Sequence, residues 1–186
     1  TTRRRNSRRP SRQAASSAII TNAHRINAGE MPFSGTPESK SDFYIVEEED
    51  PEVCVDKIVE LFRRFIPQRF KLDPLNDVQL LTPMQRGGLG ARALNETLQN
   101  ALNHRDDRVE RFGAFYGDGD KIMQVINNYD KEVFNGDIGK ILHVDREERQ
   151  LIVQFGNRRV EYDFNELDEL LPAFAITIHK SQGSEY

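Results

Sequence analysis

The chain contains a single cysteine, Cys54, among 186 residues. One thiol can form neither an internal disulfide nor a cysteine-rich zinc site, which fits a reducing, cytoplasmic location. No apolar run approaches the roughly 20 residues that span a bilayer, so no membrane partner is expected. The arginines at the start are not followed by an apolar core, so nothing reads as a secretory signal. Internal repeats are missing too. So is any Gly-x-x-x-x-Gly-Lys-Ser/Thr sequence. Without that loop there is no amide cradle for nucleotide phosphates and no hydroxyl for Mg²⁺. The chain by itself is therefore expected to bind no cofactor or metal and to hydrolyse no nucleotide.

Apolar residues make up 37% of the chain, enough for a modest core. The net charge of −4 is uneven: residues 1–12 hold six arginines and no acid, leaving −10 on the rest. An acidic body excludes indiscriminate nucleic-acid binding through bulk charge. A local groove of basic and amide side chains stays open, since phosphate contacts are local.

Residues 1–10 have no apolar periodicity and are expected to be a disordered basic tail. Gln13–Ala28 reads as a helix with Gly29 as its C-cap glycine. Phe43–Val46 reads as a short strand. Asp50-Pro51 is a strong helix opening, and Cys54, Val55, Ile58, Leu61, Phe62 and Phe65 recur at helical spacing until Pro67, where the helix is expected to stop. Residues 77–82 form the next candidate strand. After the Gly87–Gly90 turn comes a helix with a stripe of Leu94, Leu98, Ala101 and Leu102. Strands alternating with helices on short joins predict an α/β fold with a parallel sheet.

From Asp120 to Phe164 the pattern changes to short alternating segments: Lys121–Ile126, Gly139–Val144, Leu151–Phe155 and Arg159–Tyr162. Asn135-Gly136, Asp145–Arg149 and Gly156-Asn157 supply the turns. This predicts a small β-barrel inserted before the last buried strand, Ala173–Ile178.

That last strand delivers Thr177, His179, Lys180, Ser181 and Gln182 toward Gly183 and Glu185. Ligands of open α/β sheets bind beyond the carboxyl ends of the strands. A hydroxyl, an imidazole, an ammonium and an amide emerging together there suit phosphate oxygens and bases. The string Ala175–Glu185 (AITIHKSQGSE) resembles motif V of superfamily 1 helicases in the form used by RecD-type enzymes, the exodeoxyribonuclease V alpha-subunit group. The resemblance implies that Thr177 and His179 contact the DNA strand with Lys180 and Ser181 nearby, and that Gln182, Gly183 and Glu185 face an ATP cleft.

Three further segments are similar to the same family in the same order. Ser11–Asn27 resembles the segment following the first motor domain, and Arg12 matches the arginine that reaches the γ-phosphate, a task suited to a permanently charged planar fork. Ser11 stands where the family has an aromatic, and arginines replace the usual apolar strand, so Arg12 is read either as that ligand or as part of the tail. Gln79–Asn95 is also similar; Thr82, Arg86 and the amides opening the helix would hold a DNA phosphate, or the segment is a plain strand-to-helix turn. Asn127–Ile141 resembles the start of the SH3-like barrel called 2B. There Asn128, Tyr129 and Lys131 are candidate strand contacts, with barrel core the simpler place for Tyr129.

The resemblance covers about residues 11–186. It implies a RecA-like parallel sheet with flanking helices plus an inserted SH3-like β-barrel, divided as motor domain 2A over 11–118, the barrel over 119–165 and the returning strand with motif V over 166–186. It further implies a fragment of an ATP-dependent 5′–3′ DNA helicase, using ATP and Mg²⁺ only in the complete enzyme. Its partners would be single-stranded DNA, the first motor domain 1A and, where the parent sits in a nuclease complex, the other subunits. A stand-alone module that binds single strands or docks a protein through the barrel is the competing reading, and a degenerate relic tethered by its arginine tail is the third.

Overall fold

The computed structural model describes residues 17–36 and 41–182. Arg12, Gly183, Glu185, the basic stretch 1–10 and residues 13–16 lie outside the described residues. The chain divides into two units, Thr1–Glu48 and Glu49–Tyr186.

In the first unit, α1 runs over Ala18–Asn27. It starts later than the expected Gln13 because Ser17 is extended, at φ −71° and ψ 125°, and its hydroxyl oxygen accepts from the Ile20 N–H. A serine there satisfies one of the orphan amides of a first turn. Asp42 adds to the cap, accepting from Ser17 Oγ at 2.6 Å and from the Ala18 N–H at 2.7 Å. The Ser17 hydrogen bond, above all, holds the Asp42 carboxyl below its ordinary range. The helix ends as expected near Gly29, which takes φ 77°. Phe43–Val46 is not the expected strand. Its groups are taken locally: Ile45 N–H donates to Ser34 Oγ at 2.8 Å, and Phe43 O accepts from Gly35 N–H at 3.0 Å.

The second unit opens with α2, Pro51–Glu60, capped as its sequence predicts by the Asp50 carboxylate. The helix does not stop at Pro67. A π-helical turn over Leu61–Phe65 widens it, with the Ile66 N–H reaching back to Leu61 O, and α3 (Ile66–Phe70) continues with Pro67 in its first turn. Proline costs nothing where its missing N–H has no partner to lose. Lys71, at φ 60°, ends the run.

β1 (Leu80–Thr82) leads through the glycine-rich loop into α4 (Ala91–Leu102). A hairpin of β2 (Val109–Arg111) and β3 (Ala114–Tyr116) follows. Then come β4 (Lys121–Gln124), β5 (Ile138–Asp145), β6 (Gln150–Phe155), β7 (Arg158–Asp163), a 3₁₀ turn over Phe164–Glu169, and β8 (Leu170–Pro172). After Ala173 and Phe174, β9 (Ala175–Thr177) pairs in parallel with β1, and α5 (Ile178–Ser181) is one turn long.

The architecture is α/β with two kinds of sheet. β1 and β9 form the parallel pair, and their core is Phe62, Leu98 and Phe174 with Ile58, Ile66 and Leu80 against them. Beside the small β2–β3 hairpin, the largest sheet is antiparallel in the order β7-β6-β5-β4-β8. Its alternating burial along β6 and β7 puts Leu151, Val153, Phe155, Val160 and Tyr162 into a shared core with Ile122, Ile141 and Leu170. Gly139 on β5 lies under that core, where a Cβ would sit 2.8 Å from the Phe155 ring. This is the segment expected as a small barrel, and among the described residues no pairing joins β7 to β8, so its five strands do not close into a ring by hydrogen bonds. Met123, Ala173 and Ile176 pack together and tie the two sheets. No helix among the described residues is long and apolar enough to cross a membrane.

Candidate functional site

The parallel register sets Thr82 beside Thr177 at the carboxyl ends of β1 and β9. These two strand ends, with the loop after one and the one-turn helix after the other, are where the ordering of the chain concentrates its polar side chains.

Thr82 is 4% exposed, and its hydroxyl donates to Leu89 O at 2.6 Å. The amides opening α4 are engaged as well: Ala91 N–H donates to Met84 O at 3.0 Å and Arg92 N–H to Gln85 O at 3.4 Å. Thr82 and these amides, expected to help hold a DNA phosphate together with Arg86, are bonded within their own loop in this structure. Thr82 and the helix start hold their own loop, and Arg86 is the exposed member of the set. Gly90 makes that closure possible. A Cβ on it would lie 2.5 Å from Arg86 O and 2.7 Å from Gln85 O.

At the other strand end, β9 stops at Thr177 rather than Ile178, because Thr177 caps α5 by accepting from Lys180 N–H at 3.4 Å. Thr177 is half-buried, while His179, Lys180 and Gln182 are exposed. Ser181 donates to Ile178 O at 2.7 Å. Lys180 Nζ donates to Asn135 Oδ1 at 3.0 Å, which joins this tip to the loop before β5. The sequence-expected residues Arg86, His179, Lys180 and Gln182 therefore present themselves to solvent, whereas Thr82 and Thr177 shape the backbone beneath them. Of the four positions expected to face nucleotide, only Gln182 is among the described residues.

β9 is held on its second edge by a side chain. Asn95 accepts from the Ala175 N–H at 2.9 Å and donates to Ala175 O at 2.7 Å. One turn along α4, Gln99 is 2% exposed and donates to Asp120 Oδ2 at 2.5 Å and to Phe115 O at 2.9 Å. Asp120 also accepts from Asn103 Nδ2 at 2.7 Å and Gly117 N–H at 2.7 Å. Burial raises the Asp120 carboxyl above its ordinary value, with the hydrogen bonds from Asn103, Gln99 and Gly117 and the charge of Arg108 offsetting part of the rise. None of Asn95, Gln99 and Asp120 was legible as a functional residue. The signal was there in part: amides at positions 95 and 99 follow Leu94 and Leu98 at helical spacing, beside the apolar stripe.

Of the loop candidates, Tyr129 is 74% exposed, not core. Lys131 is committed elsewhere, with its ammonium 2.5 Å from Glu166 and over the Tyr162 ring. Burial tends to raise the Glu166 carboxyl, but the bonds from Lys131 and the Asp163 N–H outweigh it and hold the group low. Asn128 donates to Glu169 at 3.0 Å. Among the described residues there is no cluster of three or more His, Cys, Asp or Glu suited to a metal ion.

Comparison with known proteins points to one family. A profile described as the SH3 domain of ATP-dependent RecD-like DNA helicases matches residues 94–155. The ATP-dependent RecD2 DNA helicase of Deinococcus radiodurans is 33% identical over 175 residues, 94% of this chain and 22% of its own length. The chain is similar to the RecD-like helicases over nearly all of its length. The RecBCD enzyme subunit RecD of Haemophilus influenzae is 36% identical over 111 residues, 60% of this RecD-like chain and 16% of the relative. The chain thus spans about a fifth of the length of the curated relatives it matches. The crystal structure of a Pif1 helicase from Bacteroides in complex with ADP-AlF3 and ssDNA is a loose likeness, at 16% identity and a TM-score of 0.44 over 77% of this chain and 42% of its own. Within the RecD-like chain, the profile match takes in Leu94, Asn95, Gln99, Asp120 and the loop carrying Tyr129.

Proposed function

We propose that this chain is a fragment of an ATP-dependent 5′–3′ DNA helicase, with motor domain 2A over about residues 11–118, the SH3-like 2B module inserted over about 119–165 and the strand and motif V returning over 166–186. It contributes single-stranded DNA contacts and one wall of the ATP cleft, and it has no ATPase activity alone. The observation that carries this reading is the pairing of Thr82 with Thr177, which brings the exposed Arg86 loop and the exposed His179–Lys180 tip to the same end of the parallel strands.

A polynucleotide running across that end would meet Arg86, His179 and Lys180 at its phosphates, with Ser181 and the backbone around Thr177 close by. Such contacts give little sequence preference and a strong dependence on salt. Thr82 acts beneath them, fixing the loop that carries Arg86. Binding and hydrolysis of ATP would supply the free energy for the parent enzyme's cycle, with Mg²⁺ neutralising phosphate charge and with Gln182, Gly183, Glu185 and Arg12 as this chain's residues toward the nucleotide. Domain 1A of the parent, which brings the phosphate-binding loop, is the partner that completes the cleft.

The test has two arms. Fluorescence anisotropy with a labelled oligo-dT should show salt-sensitive binding by the chain, weakened in His179→Ala and Arg86→Ala; equal affinities across several salt concentrations would remove those residues from the DNA track. Nucleotide turnover should be absent from the chain and become DNA-stimulated when the parent's P-loop domain is joined to it. Turnover by the chain alone would overturn the proposed division of labour.

A further inference from the structure

We propose that Tyr129 and Phe134 form a stacking platform for the bases of single-stranded DNA, set on the loop between β4 and β5. The inference rests on the DNA-tracking reading above. The two rings meet edge to face, with centroids 5.9 Å apart, and they are 74% and 44% exposed. An aromatic pair left in water has no role in the adjoining core, whose rings are Tyr116, Phe155, Tyr162 and Phe164.

The loop is rigid. Asn128 and Val133 exchange both backbone hydrogen bonds, at 2.8 and 3.0 Å, and Val133 is 1% exposed in the core. Asn128 is further fixed through Glu169 and by the Lys131 N–H on its Oδ1, and Lys131 is tied to Glu166. Anchors on both flanks hold Tyr129 out on a preformed turn, which lowers the entropy lost when a base lands on it.

Chemistry selects bases rather than phosphates. Asp130 and Asp137 share the loop with the rings, while Glu132 is paired with Arg158 at 3.4 Å and Lys131 with Glu166. No unpaired cation of the loop therefore draws a phosphate there, whereas a neutral base presents a π-face. A positive group outside those ion pairs is one residue away: Asn135, next to Phe134, accepts from Lys180 at 3.0 Å. A strand whose phosphates lie along His179 and Lys180 can therefore turn its bases toward Tyr129 and Phe134. Continuity between tip and loop makes them one track.

The test compares oligo-dT with an oligonucleotide of the same length lacking bases, both bound by the 186-residue chain. Tyr129→Ala should weaken oligo-dT binding by about 5- to 150-fold, the worth of one stacked base, and leave the abasic strand unaffected. Tyr129→Leu, which keeps apolar bulk without a ring, should behave like the alanine variant, and Tyr129→Phe should bind like the parent chain. Unchanged oligo-dT affinity in both ring-less variants would overturn the platform while leaving the DNA track intact. Absence of binding to either oligonucleotide by the unsubstituted chain would overturn both.

Discussion

Asn95 meets Ala175 as a neighbouring strand would, accepting from its N–H at 2.9 Å and donating to its carbonyl at 2.7 Å. The contact occupies the edge of β9 away from β1 and turns a residue of α4 into a substitute for a missing ladder. Asn22 does the same for Phe33 in the first unit, with bonds of 3.0 and 2.8 Å. A primary amide is the shortest side chain that offers a donor and an acceptor side by side. Asn95→Ala leaves the N–H and carbonyl of Ala175 buried without partners, at a cost of about 2–4 kcal/mol. Urea unfolding should register this as a lower midpoint with an unchanged slope. A midpoint equal to that of the parent chain would mean water replaces the amide.

Gly90→Ala should be damaging out of proportion to one methyl group. The added carbon would sit 2.5 Å from Arg86 O and 2.6 Å from its carbonyl carbon, and the obstacle is backbone that cannot rotate away. Relief requires the loop 83–90 to open, which breaks the Thr82–Leu89 bond and moves Arg86. The expected loss is about 1–3 kcal/mol from overpacking. A thermal melt reads the loss, and weaker oligo-dT binding accompanies it. Gly88 is the control, since a Cβ there meets nothing within 4 Å.

Much of the parallel core and the alternating strands is readable in the sequence because the deciding interactions are local. Asp50-Pro51 caps the helix it precedes, and Asn135-Gly136 and Gly156-Asn157 fall at the turns flanking β5, β6 and β7. The failures are non-local. Pro67 is tolerated only because the helix widens before it, and nothing in a single helical repeat announces a π turn. Asn95 finds a partner 80 residues away, so its role cannot be read from its neighbours. The same limit applies to the site: exposed His179 and Lys180 follow from a polar tip after an apolar strand, but the withdrawal of Thr82 into its own loop follows from the fold.

Asp120 should give the fold a specific pH signature. Its carboxyl is raised by burial, so the native state holds that proton more tightly than the unfolded chain does. The stability it contributes is full below the ordinary carboxyl value of 3.8 and is lost as pH rises through the raised folded value. Asp120→Asn removes the titration and also turns an NH₂ toward one of three donors now satisfied by carboxylate oxygens. The variant should be less stable by about 1–3 kcal/mol near the acid end, and the deficit should shrink as pH rises. Urea midpoints measured from pH 4 to pH 8 check it. A deficit that grows with pH would reverse the sign and place the carboxylate, not the acid, as the stabilised form.

Phe112 and Gly113 join β2 to β3 with φ values of 51° and 74°. Two central residues with positive φ between directly paired strands make a type I′ turn, whose favoured sequence is Asn-Gly. Gly113 fits that geometry and Phe112 does not, which is why the hairpin is invisible to a search for turn residues. Phe112 is also 64% exposed, so little packing offsets the left-handed backbone of a bulky side chain. Phe112→Asn should therefore stabilise the chain, by about 0.5–1 kcal/mol on the scale of other backbone-compatible turn substitutions. The gain should appear as a higher melting temperature with oligo-dT binding unchanged. A lower melting temperature would mean that the exposed ring makes a contact worth more than the strain it imposes.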